Sequence, residues 1–362
     1  MSCLSRYLRC FRLIPVMLLL LCTACATRPG GYTNSDGSTI DKSIFEVAEW
    51  MVRSRLSQAD STPQGPFKDY RIPLVRSPEG TAPALPDEFS VTWLGHASVL
   101  LRMDGQVILT DPHFSERASP VSWAGPRRRV PPPYQLENLP HVDVVVLSHN
   151  HYDHLDLPSL KALYAQAGGP PQLLAPAGLA PWLAEQGFSG ARSLGWWESI
   201  ELGPLHITGL PAYHGSGRGL FDKNATHWGG WLIRSPHFST YFAGDTGYSA
   251  DFTEIGRRTG GMDLALIPVG AYQPRDFMAD QHVDPTQAVQ IFQDVRARLA
   301  LGIHWSTFEM ASEPLDAPIA DLAHALQAAS IPPAQFRLIP IGSTLRLGTH
   351  GQWAPPPWHP YF

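Results

Sequence analysis

Cysteine is confined to one end of this chain. The 362 residues contain four, Cys3, Cys10, Cys22 and Cys25, and none follows position 25. A folded body beyond that point has no disulfide available and no thiolate to offer a metal. Charge is sparse too: Asp, Glu, Lys and Arg make up 16 % against 44 % hydrophobic residues. That is the balance of a chain that buries a core, not of one that stays disordered. With 32 acidic and 27 basic residues the net charge is −5, which leaves no basic footprint for nucleic acid. Long apolar runs are also missing. Leu13–Cys22 is an apolar stretch of only ten residues, half of the roughly 20 that a membrane-spanning helix needs.

That short stretch follows Arg6, Arg9 and Arg12 and leads into Cys22-Thr23-Ala24-Cys25. A basic region, a short apolar region and a lipobox-like site predict an export signal over residues 1–24, with Cys25 as the lipidated first residue of the mature chain; the alternative is an ordinary signal peptide cut near Ala26. Ala26 after the cysteine favours the outer membrane, so the expectation is an exported bacterial lipoprotein facing the periplasm. Cleavage leaves 24 basic against 32 acidic residues, a net charge of −8. An N-terminal lipid, not a polybasic surface, is then what holds the chain at a membrane. Residues 25–40 are small and polar and read as a flexible tether. Residues 41–88 read as an N-terminal helix and a wrapping segment. The helix falls at Asp41–Leu56, where Ser43 and Glu46 have capping-box spacing. Residues 89–350 form the main domain and 351–362 a tail.

From Phe89 onward short apolar segments predict strands at Ser90–Leu94, Val99–Met103 and Gln106–Thr110, the last two joined by the hairpin signal Asp104-Gly105. Val142–Leu147 reads as a buried strand. Gln172–Ala175, Leu205–Leu210, Trp228–Ile233, Thr240–Ala243, Leu264–Val269, Leu299–His304 and Phe336–Ile341 follow. Helical patterns fit Leu157–Gln166, capped by Asp156, and also Pro285–Arg298 and Leu315–Ala329. Strands interleaved with helices indicate an α/β or mixed-sheet sandwich.

What the chain has in number is histidine, fifteen in all. Spacing matters more than the count. The strand Val142–Leu147 runs into Ser148-His149-Asn150-His151-Tyr152-Asp153-His154. In extended backbone, residues two apart project to one side, so His149 and His151 can share a metal. Asp153 and His154 follow where the chain turns, placed for a second metal. Imidazole and carboxylate donors suit zinc, and also iron or manganese. One loop cannot enclose two ions, so donors are expected at other strand ends. His214, Asp245 and His304 each stand at or just beyond a predicted strand, where the sites of layered folds collect.

This order of donors resembles the metallo-β-lactamase superfamily, whose pattern is His-x-His-x-Asp-His followed by His, Asp and His. The resemblance implies a four-layer αββα sandwich with the site at the strand ends. It implies one zinc on His149, His151 and His214, another on Asp153, His154 and His304, and Asp245 bridging them. With no cysteine in the body, the branch that uses a Cys ligand is excluded. Further blocks resemble N-acylphosphatidylethanolamine-hydrolysing phospholipase D: Val91–Ser98, Leu109–Pro112, Arg117–Pro120, Ser148–Asp156, Phe242–Tyr248, Ile267–Tyr272, Gln281–Pro285 and His304-Trp305. Together they span about residues 90–310, and they imply a membrane phospholipid as substrate. Where that family has a glutamine lining its pocket, this chain has Ser122.

The activity so implied is hydrolysis of a phosphodiester by a metal-bridging hydroxide, yielding phosphatidic acid and an N-acylethanolamine. Asp245, Asp153 and His282 are the implied catalytic residues, with Tyr152 and His282 against the substrate phosphate; His282 reads equally as a brace for its loop or as support for a ligand. Asp111 reads as a carboxylate orienting a ligand histidine or as a turn cap, and His96 as a pocket residue or a cap. Asp284 reads as the N-cap of the helix beginning at Pro285. Trp123, Trp196, Trp197, Trp228, Trp231 and Trp305 read as core or as a lipid groove. Arg127-Arg128-Arg129 reads as solvated surface or as an attractor of anionic headgroups. A homodimer is compatible with this reading. Two alternatives keep most of these residues: a lactonase resembling the ascorbate-6-phosphate enzyme, and an envelope lipoprotein that binds without turnover.

Overall fold

The computed structural model describes residues 31–40, 42, 46, 74–76, 89–219 and 221–346. The expected export signal, Cys25 and the tail lie outside them. So do the expected helix Asp41–Leu56 and the wrapping segment, apart from a few residues.

The strands are β1 (Ser90–Gly95), β2 (Ser98–Met103), β3 (Gln106–Thr110), β4 (Val144–Val146), β5 (Gln172–Pro176), β6 (Arg192–Leu194), β7 (Ser199–Leu202), β8 (Leu205–Leu210), β9 (Gly230–Arg234), β10 (Ser239–Phe242), β11 (Met262–Pro268), β12 (Ala297–Ile303), β13 (Phe336–Arg337) and β14 (Thr344–Arg346). They form two seven-stranded sheets, ordered β14-β1-β2-β3-β4-β5-β6 and β13-β12-β11-β10-β9-β8-β7. Each sheet has an antiparallel half and a parallel half. β1, β2 and β3 pair antiparallel and β3 to β6 parallel, while β7 to β10 pair antiparallel and β10 to β13 parallel.

Parallel neighbours need crossovers, and the helices supply most of them. On the first sheet these are α1 (Leu157–Tyr164) and α2 (Ala180–Glu185). On the second they are α3 (Asp251–Thr259), α4 (Arg275–Met278), α5 (Pro285–Asp294) and α6 (Ala317–Ala328).

Alternation in the strands builds the layers. Val144 and Val146 of β4 join the core between the sheets with Leu205, Ile207 and Trp231, whereas Val145 joins Leu160, Leu163 and Leu183 on the outer face. On the other side Phe252, Ile291 and Leu322 cover β11 and β12. The result is the helix-sheet-sheet-helix sandwich expected from the resemblance.

Several elements differ from the expectations. The helix over Pro285–Arg298 stops at Asp294, because Arg296 takes a left-handed φ of 57° and β12 begins at Ala297. Asp156 precedes α1 but gives its first turn no side-chain cap; its carboxylate accepts the Ser115 and Ser159 hydroxyls instead. Residues 31–40 are no free tether. Asn34 is buried, and its Oδ1 accepts the His214 N–H at 3.0 Å and the Trp228 indole N–H at 3.1 Å. Tyr32 stacks on His227 with ring centroids 4.5 Å apart. Asn34 Oδ1 and the Tyr32 ring thus find partners far along the chain.

Helix α3 is charged on most faces, and its Gly256 makes it resemble a loop. That glycine sits where a Cβ would fall 2.0 Å from the Asp294 carbonyl oxygen. In an open helix Gly→Ala gains about 1 kcal/mol. Here Gly256→Ala is expected to cost about 1–3 kcal/mol, because α3 must move off α5. A chemical-denaturation midpoint that rises instead would refute this packing.

Candidate metal centre

The donors converge because the strands that carry them end together. His149, His151, Asp153 and His154 follow β4; His214 follows β8, Asp245 follows β10 and His304 directly follows β12. At these ends the backbone turns sharply, with left-handed φ at His96 (53°), Asp111 (32°), Ala271 (61°), His304 (62°) and Ser306 (63°), a region that side-chain-bearing residues seldom occupy.

Hydrogen bonds outside the cluster fix which nitrogen of each ring faces inward. Asp111 Oδ1 accepts the Ser148 N–H at 2.7 Å, and Oδ2 accepts the Ser148 hydroxyl at 2.5 Å. The same Oδ2 lies 2.7 Å from His154 Nδ1, which must donate to it. With its proton given to Asp111, the Ser148 oxygen accepts from His149 Nδ1 at 2.9 Å. His214 Nδ1 donates to the Gln281 carbonyl at 3.0 Å. In His149, His154 and His214 alike, Nε2 is thereby left for the interior.

The interior atoms fall into two groups. His149 Nε2 lies 2.8 Å and His214 Nε2 3.3 Å from His151 Nδ1. These are close to the separations subtended by nitrogens about 2.0–2.1 Å from one ion. The second group holds Asp153, His154 and His304, together with His96, whose Nε2 is 2.9 Å from Asp153 Oδ2. Asp245 stands with both. Its Oδ2 is 2.9 Å from His154 Nε2, and it groups with His149 on one side and with His304 and His282 on the other, every grouped donor atom within 4.8 Å of its fellows.

His304 Nε2 and Asp245 Oδ1 are 3.1 Å apart, yet neither is aligned for a hydrogen bond, and both are buried. His282 Nδ1 is likewise buried without a partner. Four orphaned atoms (both nitrogens of His304 among them) in one acid-and-imidazole pocket would be costly in a protein that bound nothing there. The residues therefore fit divalent cations.

The charge balance agrees. Burial, reinforced by His154, holds His149 well below the ordinary imidazole range; burial does the same for His214, reinforced by His151. These rings are neutral donors at neutral pH. His154 and His304 are also pushed down by burial, but Asp245 and Asp153 outweigh it, lifting His154 well above the usual value and His304 to about 9. Burial would raise Asp153 and Asp245, but His154 and its neighbours hold both well below the carboxylate range. Ionised carboxylates here demand positive charge, which protons supply in the absence of an ion.

The seven residues singled out by spacing thus lie in one buried cluster. Tyr152 does not join it; its half-buried ring lies under the Arg218 guanidinium at 3.9 Å. His282 flanks the cluster, with Nδ1 3.8 Å from Asp245 Oδ2. Asp284 accepts the Gln287 N–H at 2.8 Å and so caps α5. Ser122 is exposed on a loop tip. Trp228, Trp231 and Trp305 are core, and Trp123 is exposed. Two contributors gave no signal in sequence. One is Asn34, which holds the His214 backbone. The other is Arg218, whose Nη1 donates at 2.8 Å to both the Asn150 and Leu155 carbonyls and brackets the histidine turn.

Two mixed sheets between helices, with buried histidines and aspartates at the strand ends, define the metallo-β-lactamase fold with a candidate metal centre. A family model described as a β-lactamase superfamily domain matches residues 106–305, more than half of the chain. The chain belongs to that superfamily. It is 44 % identical over 231 residues to N-acyl-phosphatidylethanolamine-hydrolyzing phospholipase D 1 of Caenorhabditis elegans, covering 60 % of this chain and 64 % of that protein. The chain thus spans just under two thirds of that relative's length. It is 38 % identical over 311 residues to an uncharacterized protein of Mycobacterium tuberculosis, covering 83 % and 79 % of the two chains. Among solved structures, isothiocyanate hydrolase from Delia radicum gut bacteria shares the fold, with a TM-score of 0.57 at 20 % identity over 70 % of this chain and 97 % of that one.

Proposed function

We propose that this protein is a zinc-dependent phosphodiesterase that hydrolyses N-acylphosphatidylethanolamine-type phospholipids to phosphatidic acid and N-acylethanolamine, acting at the envelope membrane as a lipoprotein anchored through Cys25. The observation that carries the chemistry is Asp245 standing between two donor groups. The substrate class comes from the relative at 44 % identity that is named for it, and the membrane placement from the leader.

His149, His151 and His214 would hold one ion, Asp153, His154 and His304 the other, with Asp245 shared. Ions held there supply Lewis acidity, lowering the pKa of bound water toward about 7 and neutralising phosphate oxygens. The chain's own residues do the rest. His282 is pushed down to about 4 by burial, so it is a neutral ring at working pH. Its buried Nδ1, without a partner beside Asp245, can donate a hydrogen bond to a phosphate oxygen. Tyr152, pinned by Arg218, offers a hydroxyl outside the donor cluster. Asp153 is steadied by His96, which holds the same Oδ2 that faces His154 and His304.

The purified protein should convert N-acylphosphatidylethanolamine to the two products, identified by mass spectrometry. Chelation should stop the reaction and added zinc should restore it. A phosphorylated lactone is the comparison substrate: turnover of the lactone alone would overturn the phosphodiesterase reading.

A further inference from the structure

Four large hydrophobic side chains are exposed among the described residues: Val75, Val121, Trp123 (79 %) and Phe221 (73 %). Three of them ride on two loops that rise from the metal cluster. The first loop, residues 112–129, leaves β3 right after Asp111 and comes back to the His304 side. There the Arg129 N–H donates to the Thr307 carbonyl at 2.7 Å. Its stalk is pinned shut by Arg128 N–H to Glu116 O at 2.8 Å and Ala118 N–H to Pro126 O at 3.1 Å. Gly125, at φ 91°, lets the tip fold back where a Cβ would lie 2.7 Å from that of Ser119. Val121 and Trp123 are therefore presented on a fixed support. The second loop starts directly after His214 and is tied to the histidine turn by the Gly217 N–H on Asn150 Oδ1 at 2.7 Å. Phe221 projects from it.

Charge on the first loop reverses that of the body. Residues 112–129 carry four arginines against one glutamate in a chain of net charge −5. Arg127 and Arg129 pair with Glu116 and Glu309, but exposed pairs of this kind are worth only about 0–1 kcal/mol, so lipid phosphates compete for them readily. A tryptophan at a basic, rigid tip is the chemistry of the membrane interface. Such a tip offers far less apolar surface than a stable protein contact requires.

We infer that the Val121–Trp123 tip, with Phe221 on the neighbouring loop, inserts into the headgroup region of an anionic phospholipid bilayer and seats the metal site against it. This deepens the phospholipid reading and rests on it for purpose, though its test does not need turnover.

The test uses the full-length chain in phosphatidylcholine vesicles containing phosphatidylglycerol and lipids brominated on their acyl chains. Wild type should lose more emission than Trp123→Phe, the difference being the signal of Trp123. Replacing phosphatidylglycerol by phosphatidylcholine, or making Arg127→Glu with Arg129→Glu, should reduce that difference at least about threefold. Equal quenching of wild type and Trp123→Phe overturns the inference. So does concentration-dependent shielding of Trp123 without lipid, which would assign the tip to a second copy. Quenching of Trp123 with no phospholipid turned over supports the surface and sinks the substrate reading alone.

Discussion

Asp245→Asn should reduce phospholipid hydrolysis by about a thousandfold, the scale expected when several kcal/mol of charge stabilisation leave a metal site. The substitution keeps the shape of the side chain and removes its charge. In the native arrangement Asp245 Oδ2 faces His154 Nε2 at 2.9 Å and Oδ1 faces His304 Nε2 at 3.1 Å. An amide must turn its NH₂ toward one of the two, placing a donor where a lone pair is needed. The shared position between the donor groups is lost, while the strands that deliver the other six residues are untouched. Bound metal, read by plasma mass spectrometry, should fall from two ions toward one per chain, and the unfolding midpoint in zinc should show a folded protein. Excess zinc should not restore the rate. Near-normal activity with two ions bound would refute the shared role of Asp245.

The donor set was more legible than the fold that carries it. His149, His151, Asp153 and His154 are rare residue types at a fixed spacing behind an apolar strand, and that signal is local. His214, Asp245 and His304 were legible because each follows a strand of readable pattern. The misses depend on contacts that local pattern cannot carry. β6 and β7 are short, with exposed or half-buried residues over much of their length. α3 buries little more than Phe252, Ile255 and Gly256, and its glycine makes sense only against the Asp294 carbonyl. Asn34 belongs to a polar stretch with the composition of a linker, and its partners lie about 180 and 194 residues away. Arg218 is the same case: what it holds is two backbone carbonyls, and backbone carbonyls have no signature in sequence.

Asp111→Asn, which removes one charge just outside the donor set, should weaken zinc binding about 10–100-fold. Asp111 is fully buried, and burial raises its carboxyl despite His154 and Ser148, which act to lower it. The site therefore keeps this charge at a cost, and the geometry shows what the charge sustains. Its two oxygens hold the Ser148 N–H, the Ser148 hydroxyl and His154 Nδ1, and through that hydroxyl they set the tautomer of His149. Asparagine can still accept the Ser148 N–H with its oxygen. Its NH₂ then meets the hydroxyl proton and the His154 Nδ1 proton, donor against donor. One of those protons must leave, and a His154 protonated on Nε2 has no lone pair for a metal. Because the donors themselves remain, raised zinc should recover most of the activity, unlike in Asp245→Asn. A zinc titration followed by rate distinguishes the two. If Asp111→Asn bound zinc as tightly as wild type, His154 would be oriented by its neighbours alone, and the carboxylate would serve only to brace the turn after β3.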